Sequence, residues 1–200
     1  MITLTPWDVR EIWPLMVTAL KMRPAIVAPF VTRPPDFVVD RVALRLPPPE
    51  SAVKGLYPMR LADKTLREYH GTVVLQGNGV ATTFVNEVLP ALDRDGFNLN
   101  IFYVTSAELF NALSPEEQEF IYPERLALEA FGITDFTLPT MYRWIRSKQG
   151  IRATLHSFAS GHYLGSGSAQ KVLQEAGIDA AGQLSAIRNY ARAKSKYVKS

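Results

Sequence analysis

The sequence predicts a three-layer α/β/α sandwich with a mainly parallel sheet of about five strands. Two observations support this fold class. Short apolar bursts recur, for example over residues 72–76 and 99–104, and most are followed by a segment in which apolar residues keep helical spacing. Strands that alternate with helices in this way are typical of doubly wound parallel sheets.

The first predicted elements are a helix and a strand. Thr5 is the expected N-cap of the helix, Pro6 suits its first position, and Pro14 is expected to kink or split it. A strand is predicted over residues 25–32, where Pro29 indicates an edge or a bulge.

A proline-rich segment follows, from residue 33 to about residue 57. Its prolines favour extended geometry, and residues 38–46 between them are expected to form a short strand or an extended arm. The prolines are Pro34, Pro35, Pro47, Pro48 and Pro49.

The main domain then alternates predicted strands and helices. Its strands are predicted over residues 72–76, 99–104, 125–130 and 151–158. Its helices are predicted over residues 80–92, from Ser114 onward, and over 138–147, 168–175 and 180–194.

The composition limits the classes of protein to which the chain can belong. The 200 residues are 47% hydrophobic and 20% charged, enough for one globular domain with an appendage. The absence of cysteine excludes disulfides, thiolate zinc sites and cysteine nucleophiles, and it fits a cytoplasmic protein. Since we see neither a signal peptide nor an apolar run of roughly 18–20 residues, we expect no membrane association.

The basic character of the chain is concentrated in its tail. The formal net charge is +3, and five basic residues lie in the last thirteen positions, so the remainder carries 3 − 5 = −2. A short basic tail is most often a solvated terminus, and we therefore expect no nucleic-acid partner. These residues are Arg188, Arg192, Lys194, Lys196 and Lys199.

One turn is a candidate binding site. Gly77, Asn78 and Gly79 join a strand to a helix, where backbone N–H groups and the helix dipole can hold an anion or effector. The dinucleotide pattern Gly-x-Gly-x-x-Gly is incomplete because Thr82 takes the last glycine position. The alternative is a tight turn that needs a positive φ.

No catalytic or metal-binding constellation is predicted. The three histidines, His70, His156 and His162, lack the spacing of metal ligands. The serines near residue 165 lie in a loop-like context without a nucleophile elbow.

Several short motifs occur in the order found in the C-terminal domain of transketolase. The strand that enters the Gly77 turn comes first. Residues 106–110 are similar to a Ser-x-Glu-x-Phe-type segment, residues 128–132 to a Val-Glu-Ala-Gly-type strand, and residues 158–161 to a Phe-Gly-x-Ser-type turn. The chain therefore resembles transketolase over residues 67–192.

The resemblance extends more weakly to the N-terminus. Residues 2–33 are similar to the last helix and strand of the family's pyrimidine-binding domain. The resemblance implies three parts: the end of that domain at 1–33, a proline-rich linker at 34–66, and a transketolase C-terminal-like domain at 67–200. It also implies that Arg33 binds the substrate phosphate, which suits the bidentate guanidinium.

The resemblance implies a piece of an enzyme. The family transfers a two-carbon ketol unit between sugar phosphates of the pentose phosphate pathway, as a homodimer with thiamine diphosphate and magnesium. Its Gly-Asp-Gly cofactor motif does not occur here. We therefore expect no cofactor and no catalytic residue in this chain, a structural and dimer-supporting role, and dependence on the remainder of the enzyme or a companion subunit carrying the diphosphate-binding domain.

Two alternatives remain open from the sequence. The chain could be the C-terminal part of a deoxyxylulose-phosphate synthase or of a 2-oxoacid dehydrogenase β subunit, which upstream motifs would separate. It could also be a free-standing effector-binding or subunit-docking module that uses the Gly77–Gly79 turn.

Overall fold

The computed structural model describes residues 1–31, 38–66 and 68–197, with side chains up to residue 194. The N-terminal unit, residues 1–31, contains strand β1 (Ile2–Leu4), helix α1 (Ile12–Lys21) and strand β2 (Val27–Pro29). β1 and β2 pair in parallel to form a separate two-stranded sheet.

The main sheet has five strands: β3 (Leu56–Arg60), β4 (Gly71–Gln76), β5 (Leu99–Val104), β6 (Phe131–Thr134) and β7 (Leu155–His156). Their order is β3-β5-β4-β6-β7, with β3 antiparallel to β5 and the other neighbours parallel. This mostly parallel five-stranded sheet with flanking helices confirms the predicted fold class.

The central strand β4 is buried along its whole length, which explains the apolar run at residues 73–75 in its middle. Val73 and Leu75 face one core, which also contains Phe84 and Ile187. Val74 faces the other, which contains Trp144. Helices on both faces therefore exclude water from the sheet.

A long helix follows β4. It consists of α2 (Asn78–Thr83), a π-helical turn at Phe84–Val88, and α3 (Leu89–Arg94). The widened turn ends two residues before Pro90, which has no N–H and whose ring would crowd a carbonyl one turn earlier in a regular helix. We attribute the π turn to this proline.

The remaining helices complete the two outer layers. They are α4 (Ala107–Asn111), α5 (Pro115–Ile121), α6 (Glu124–Glu129), α7 (Lys148–Ala153), α8 (Ala169–Glu175) and α9 (Ala180–Tyr197). The predicted start of α5 is confirmed, because Ser114 and Glu117 form a reciprocal capping box.

Several predicted elements are wrong. Residues 125–130 do not form a strand, because α6 ends at Glu129 and β6 begins only at Phe131. The apolar spacing of Leu126 and Ala127, both buried, fits a helix that follows the Pro123 cap. The burst therefore combined the end of a helix with the start of a strand.

Other boundaries also differ. The strand predicted over 151–158 is only β7, since α7 extends to Ala153. The helix predicted over 138–147 is a single 3-10 turn, Leu138–Met141. Residues 38–46 form neither strand nor arm; they contain a turn that begins at Asp40, whose carboxylate accepts from the N–H groups of Val42 and Ala43.

The N-terminal helix begins later than predicted. Asp8, not Thr5, is the cap, and it precedes a 3-10 turn, Val9–Glu11, that leads into α1. Thr5 instead donates its hydroxyl to the carbonyl of Val104 at 2.9 Å. Pro14 lies in the first turn of α1, where its missing N–H is tolerated, so it does not interrupt the helix.

The segment 34–66 contains β3, which is an edge strand of the main sheet. This strand was not predicted. The division of the chain into three parts at residues 33 and 66 stays a prediction.

Candidate functional site

The sheet has a topological switch point at β4. β5 lies on one side of β4 and β6 on the other, and the connections that lead to them cover opposite faces of the sheet. In doubly wound folds, ligands bind in the crevice at the carboxyl ends of the strands that flank such a point. Here that crevice is formed by Gln76 and Gly77 after β4 and by Asp135 after β6.

The structure places the Gly77–Gly79 turn at this crevice. Gly77 has φ +98°, and its left-handed backbone turns the chain into α2. The carboxylate of Asp135 accepts a 3.0 Å hydrogen bond from the N–H of Gly79. A Cβ built on Gly77 would lie 1.6 Å from Asp135 Oδ1. The turn is therefore filled by a carboxylate of the same chain, which an external anion would have to displace.

Asp135 is a half-buried acid whose carboxylate forms no ion pair with any residue in the described part of the chain. Burial raises the pKa of Asp135 from 3.8 to about 6, and the backbone hydrogen bonds from Val80 and Gly79 only partly oppose this effect. The crevice thus contains an acid that changes charge just below neutral pH.

Hydroxyl and amide groups lie at the carboxyl ends of β4 and β6, at the same edge of the sheet. Gln76 Oε1 accepts a 2.6 Å hydrogen bond from the hydroxyl of Thr140 and a longer one from Thr134. His156 ends β7 at the same edge, its buried Nδ1 has no partner among the described residues, and burial lowers its pKa.

The N-terminal unit lies against this edge of the sheet. The side chain of Asn78 donates to the carbonyl of Trp7 at 3.0 Å, and the N–H of Thr5 donates to the carbonyl of Thr105 at 2.8 Å. The rings of Phe30 and Phe136 meet edge to face at 5.7 Å between centroids.

A buried ion network fixes this arrangement. Arg41 is 5% exposed and donates to both Asp8, at 2.8 Å, and Glu11, at 2.6 Å. Burial alone would raise the pKa of Asp8, but hydrogen bonds from Arg10 and Arg41 outweigh it and the pKa is lowered. The segment beyond residue 38 is thereby tied to the turn that precedes α1.

The network also reaches the main sheet. Tyr57 on β3 donates its hydroxyl to Glu11 at 2.5 Å and accepts from the indole N–H of Trp7 at 2.7 Å. Burial raises the pKa of Glu11, opposed by the Tyr57 hydrogen bond and the Arg41 charge. The N-terminal unit is thus bonded to the main domain through buried polar groups.

A second polar cluster lies at the opposite edge of the sheet. Glu129 accepts from the hydroxyl of Thr72 at 3.0 Å and contacts Tyr69 and Lys194. These contacts bind α9 to the start of β4 and give Glu129 a structural role.

Of the predicted site residues, Gly77, Asn78 and Gly79 lie at the switch point, whereas Arg33 lies outside the described residues. Sequence reasoning missed Asp135 and Arg41. An acid that directly follows a buried strand was a signal for Asp135. The two acids Asp8 and Glu11, in a largely apolar helical segment, were a signal for a buried cation.

Within residues 1–31, 38–66 and 68–197, no group of three or more His, Cys, Asp or Glu could hold a metal ion. In the same ranges, no helix has the length and apolar character needed to cross a bilayer.

The fold defines a doubly wound α/β domain to which a second unit with a two-stranded sheet is attached. No protein-family model matches the chain, and no curated protein matches its sequence. Comparison with solved structures shows the fold of part of a transketolase, which confirms the predicted resemblance at the level of the fold.

Three of these structures illustrate the likeness. A complex of Pichia stipitis transketolase with sedoheptulose-7-phosphate has TM-score 0.74 and 14% identity, over 98% of this chain and 26% of that one. The Leishmania mexicana transketolase has TM-score 0.71 and 15% identity, over 96% and 25%. A split-gene transketolase, described as an inactive β4 tetramer, has TM-score 0.58 and 11% identity, over 96% and 58%. The chain thus spans about a quarter of the first two structures.

Proposed function

We propose that the chain is the C-terminal portion of a transketolase-like, thiamine diphosphate-dependent enzyme that transfers a two-carbon ketol unit between sugar phosphates. Its role is architectural, and it is inactive without the remainder of the enzyme or a companion subunit that carries the diphosphate-binding domain. The fold likeness supports this proposal, as does the small share of each transketolase that the chain spans.

The main observation behind the proposal is that the N-terminal sheet has only two strands among the described residues. Two-stranded parallel sheets are rarely stable alone, and parallel strands are normally covered on both faces. Ile26 and Phe30 use their backbone groups to bond to β1. Because these groups alternate in direction along a strand, those of Val27 and Pro29 point away from β1, and β2 pairs only with β1 among the described residues.

The N-terminal unit also carries several exposed apolar side chains. Trp13 is 76% exposed, and Val9 and Leu20 share its face of the helical segment. The others are Ile26, Phe30 and Val31. Several large apolar side chains exposed on one small unit are typical of an interface.

The exposed charges of the N-terminal unit also indicate what kind of surface it would bind. Both acids of residues 1–31, Asp8 and Glu11, are buried, whereas Lys21 and Arg23 are exposed. We therefore expect the companion to contribute a strand and an apolar face bordered by acidic side chains.

The finer assignments belong to the same proposal. Arg33 binds the substrate phosphate in the assembled enzyme, the enzyme is a cytoplasmic homodimer of the pentose phosphate pathway, and thiamine diphosphate and magnesium bind in the companion. Deoxyxylulose-phosphate synthases and 2-oxoacid dehydrogenase β subunits remain the alternatives within the superfamily. Sequence motifs in the companion distinguish these enzymes from transketolases.

The test begins with the DNA upstream of the Met1 codon. We expect a reading frame, fused or separate, that encodes the Gly-Asp-Gly motif. Coexpression of that product should yield one stoichiometric complex with the chain. An upstream product with the motif that forms no complex, or the absence of such a frame, would overturn the proposal.

A further inference from the structure

A large groove lies on the main domain, away from the switch point. Its volume is about 700 Å³, and it runs between the turn at residues 43–45, the segment after β3, α3 and the loop at residues 96–98. Apolar side chains line much of it: Leu44, Leu61, Leu66, Leu89, Pro90 and Phe97. Small-molecule sites are typically of this size and are lined by apolar side chains with a few polar groups.

Arg45 lies at this groove in an unusual backbone conformation. It has φ +54°, and it follows a helical turn closed by bonds from Arg45 N–H to Val42 and from Leu46 N–H to Arg41. This is the Schellman arrangement, in which the left-handed position is usually glycine because a Cβ is disfavoured there. The chain holds an arginine where glycine would be more stable.

The charged side chains that line the groove differ in whether they have hydrogen-bond or ion-pair partners. Arg60 is paired with Asp93 and also bonds to the carbonyl of Leu44 at 3.3 Å. Asp63 accepts from the N–H and the hydroxyl of Thr65, at 2.8 and 2.7 Å. Throughout the described part of the chain, the guanidinium of Arg45 has no hydrogen-bond or ion-pair partner.

These observations point to one kind of ligand. We propose that the groove binds a small organic anion whose carboxylate or phosphate pairs with Arg45 while its apolar body covers the leucines and Phe97. A guanidinium presents two parallel N–H groups to either anion, and the apolar lining supplies the remaining contact. This site is independent of the proposed ketol transfer.

The test uses the whole 200-residue chain, labelled with ¹⁵N, and four probes. Phenyl phosphate and 3-phenylpropionate carry both an aromatic body and an anion. Benzyl alcohol lacks the anion, and inorganic phosphate lacks the body. We expect both aromatic anions to shift the amide resonances of residues 43–46, 61–66 and 96–98. Benzyl alcohol and inorganic phosphate should bind at least about tenfold more weakly. The stronger of the two aromatic anions identifies the preferred anionic group.

Two matched variants separate binding from folding. Arg45→Gly removes the guanidinium but suits the left-handed backbone, so it should fold with an unchanged or higher unfolding midpoint and lose at least about tenfold in affinity. Arg23 also has a positive φ, +51°, and is exposed but lies outside the groove, so Arg23→Gly should bind as wild type does. Equal affinity of the folded Arg45→Gly variant, or binding of inorganic phosphate alone, would overturn the proposal.

Discussion

The carboxylate of Asp135 lies at the N-terminus of α2, 3.0 Å from the backbone N–H of Gly79. These residues are 56 positions apart in the chain, yet they close the switch point of the sheet. The place where doubly wound proteins bind a ligand is therefore taken by an internal anion.

The first prediction concerns pH. The pKa of Asp135 is raised to about 6 when folded, against 3.8 as the ordinary value. Between these values the folded state holds a proton that the unfolded state has lost, so stability falls as pH rises, by about 3 kcal/mol in total. In Asp135→Asn this contribution is absent. Urea unfolding of both proteins at pH 4, 5, 6 and 7 should show it, and identical pH profiles would contradict it.

The second prediction concerns Gly77. An alanine there meets Asp135 as well as a disfavoured φ of +98°, so Gly77→Ala should destabilise the fold by about 3 kcal/mol or more. Gly96 provides the control, because it has φ +74° but nothing within 4 Å of a built Cβ. Gly96→Ala should cost only about 1 kcal/mol. Similar unfolding midpoints for the two variants would show that the Asp135 contact is not tight.

The third prediction concerns the buried ion network. Arg41→Ala leaves Asp8 and Glu11 buried with reduced pairing, which should cost about 3–5 kcal/mol and loosen the N-terminal unit. Arg10 also pairs with Asp8 but is 38% exposed, so Arg10→Ala should cost less than about 1 kcal/mol. Denaturant unfolding and limited proteolysis near residue 31 measure both effects. Equal losses would mean that burial does not decide the energetics.

The fourth prediction concerns Trp13. Because its ring is exposed, Trp13→Ala should leave the stability of the chain within about 0.5 kcal/mol of wild type. It should weaken binding of the companion by at least about tenfold. Phe120, which is 89% exposed on α5, is the matched control and should have no effect on binding. Titration calorimetry with the companion would decide, and equal effects of the two truncations would argue against the N-terminal interface.

The fifth prediction concerns Arg33, which lies outside the described residues. In the assembled enzyme, Arg33→Ala should raise KM for phosphorylated sugars far more than for unphosphorylated ones, because only the former lose a charged bond. Steady-state kinetics with both kinds of sugar test this. A uniform rise in KM would remove the phosphate role.

The fold class could be predicted because strands buried on both faces of a parallel sheet contain short continuous apolar runs, as β4 does at residues 73–75. The same signal failed at 125–130, where the end of α6 and the start of β6 share one apolar run. Local periodicity cannot divide such a run, because burial is set by tertiary packing.

The site was predicted only in part. The Gly77–Gly79 turn has a local signature, whereas its partner Asp135 comes from another strand and becomes adjacent only when the sheet forms. The role of Arg41 could not be recognised from the sequence for the same reason. It lies in a proline-rich segment that resembles a linker, and its carboxylate partners are 33 and 30 positions away.

We propose that the chain works only together with a companion that carries the cofactor site. The most direct measurement is ketol transfer from a ketose phosphate to an aldose phosphate, with thiamine diphosphate and magnesium, using the chain, the companion and their mixture. We predict turnover by the mixture, none by the chain alone, and loss of the mixture's activity in Trp13→Ala at low protein concentration. Full activity of the companion alone, or an inactive mixture in which the complex has formed, would contradict the claim.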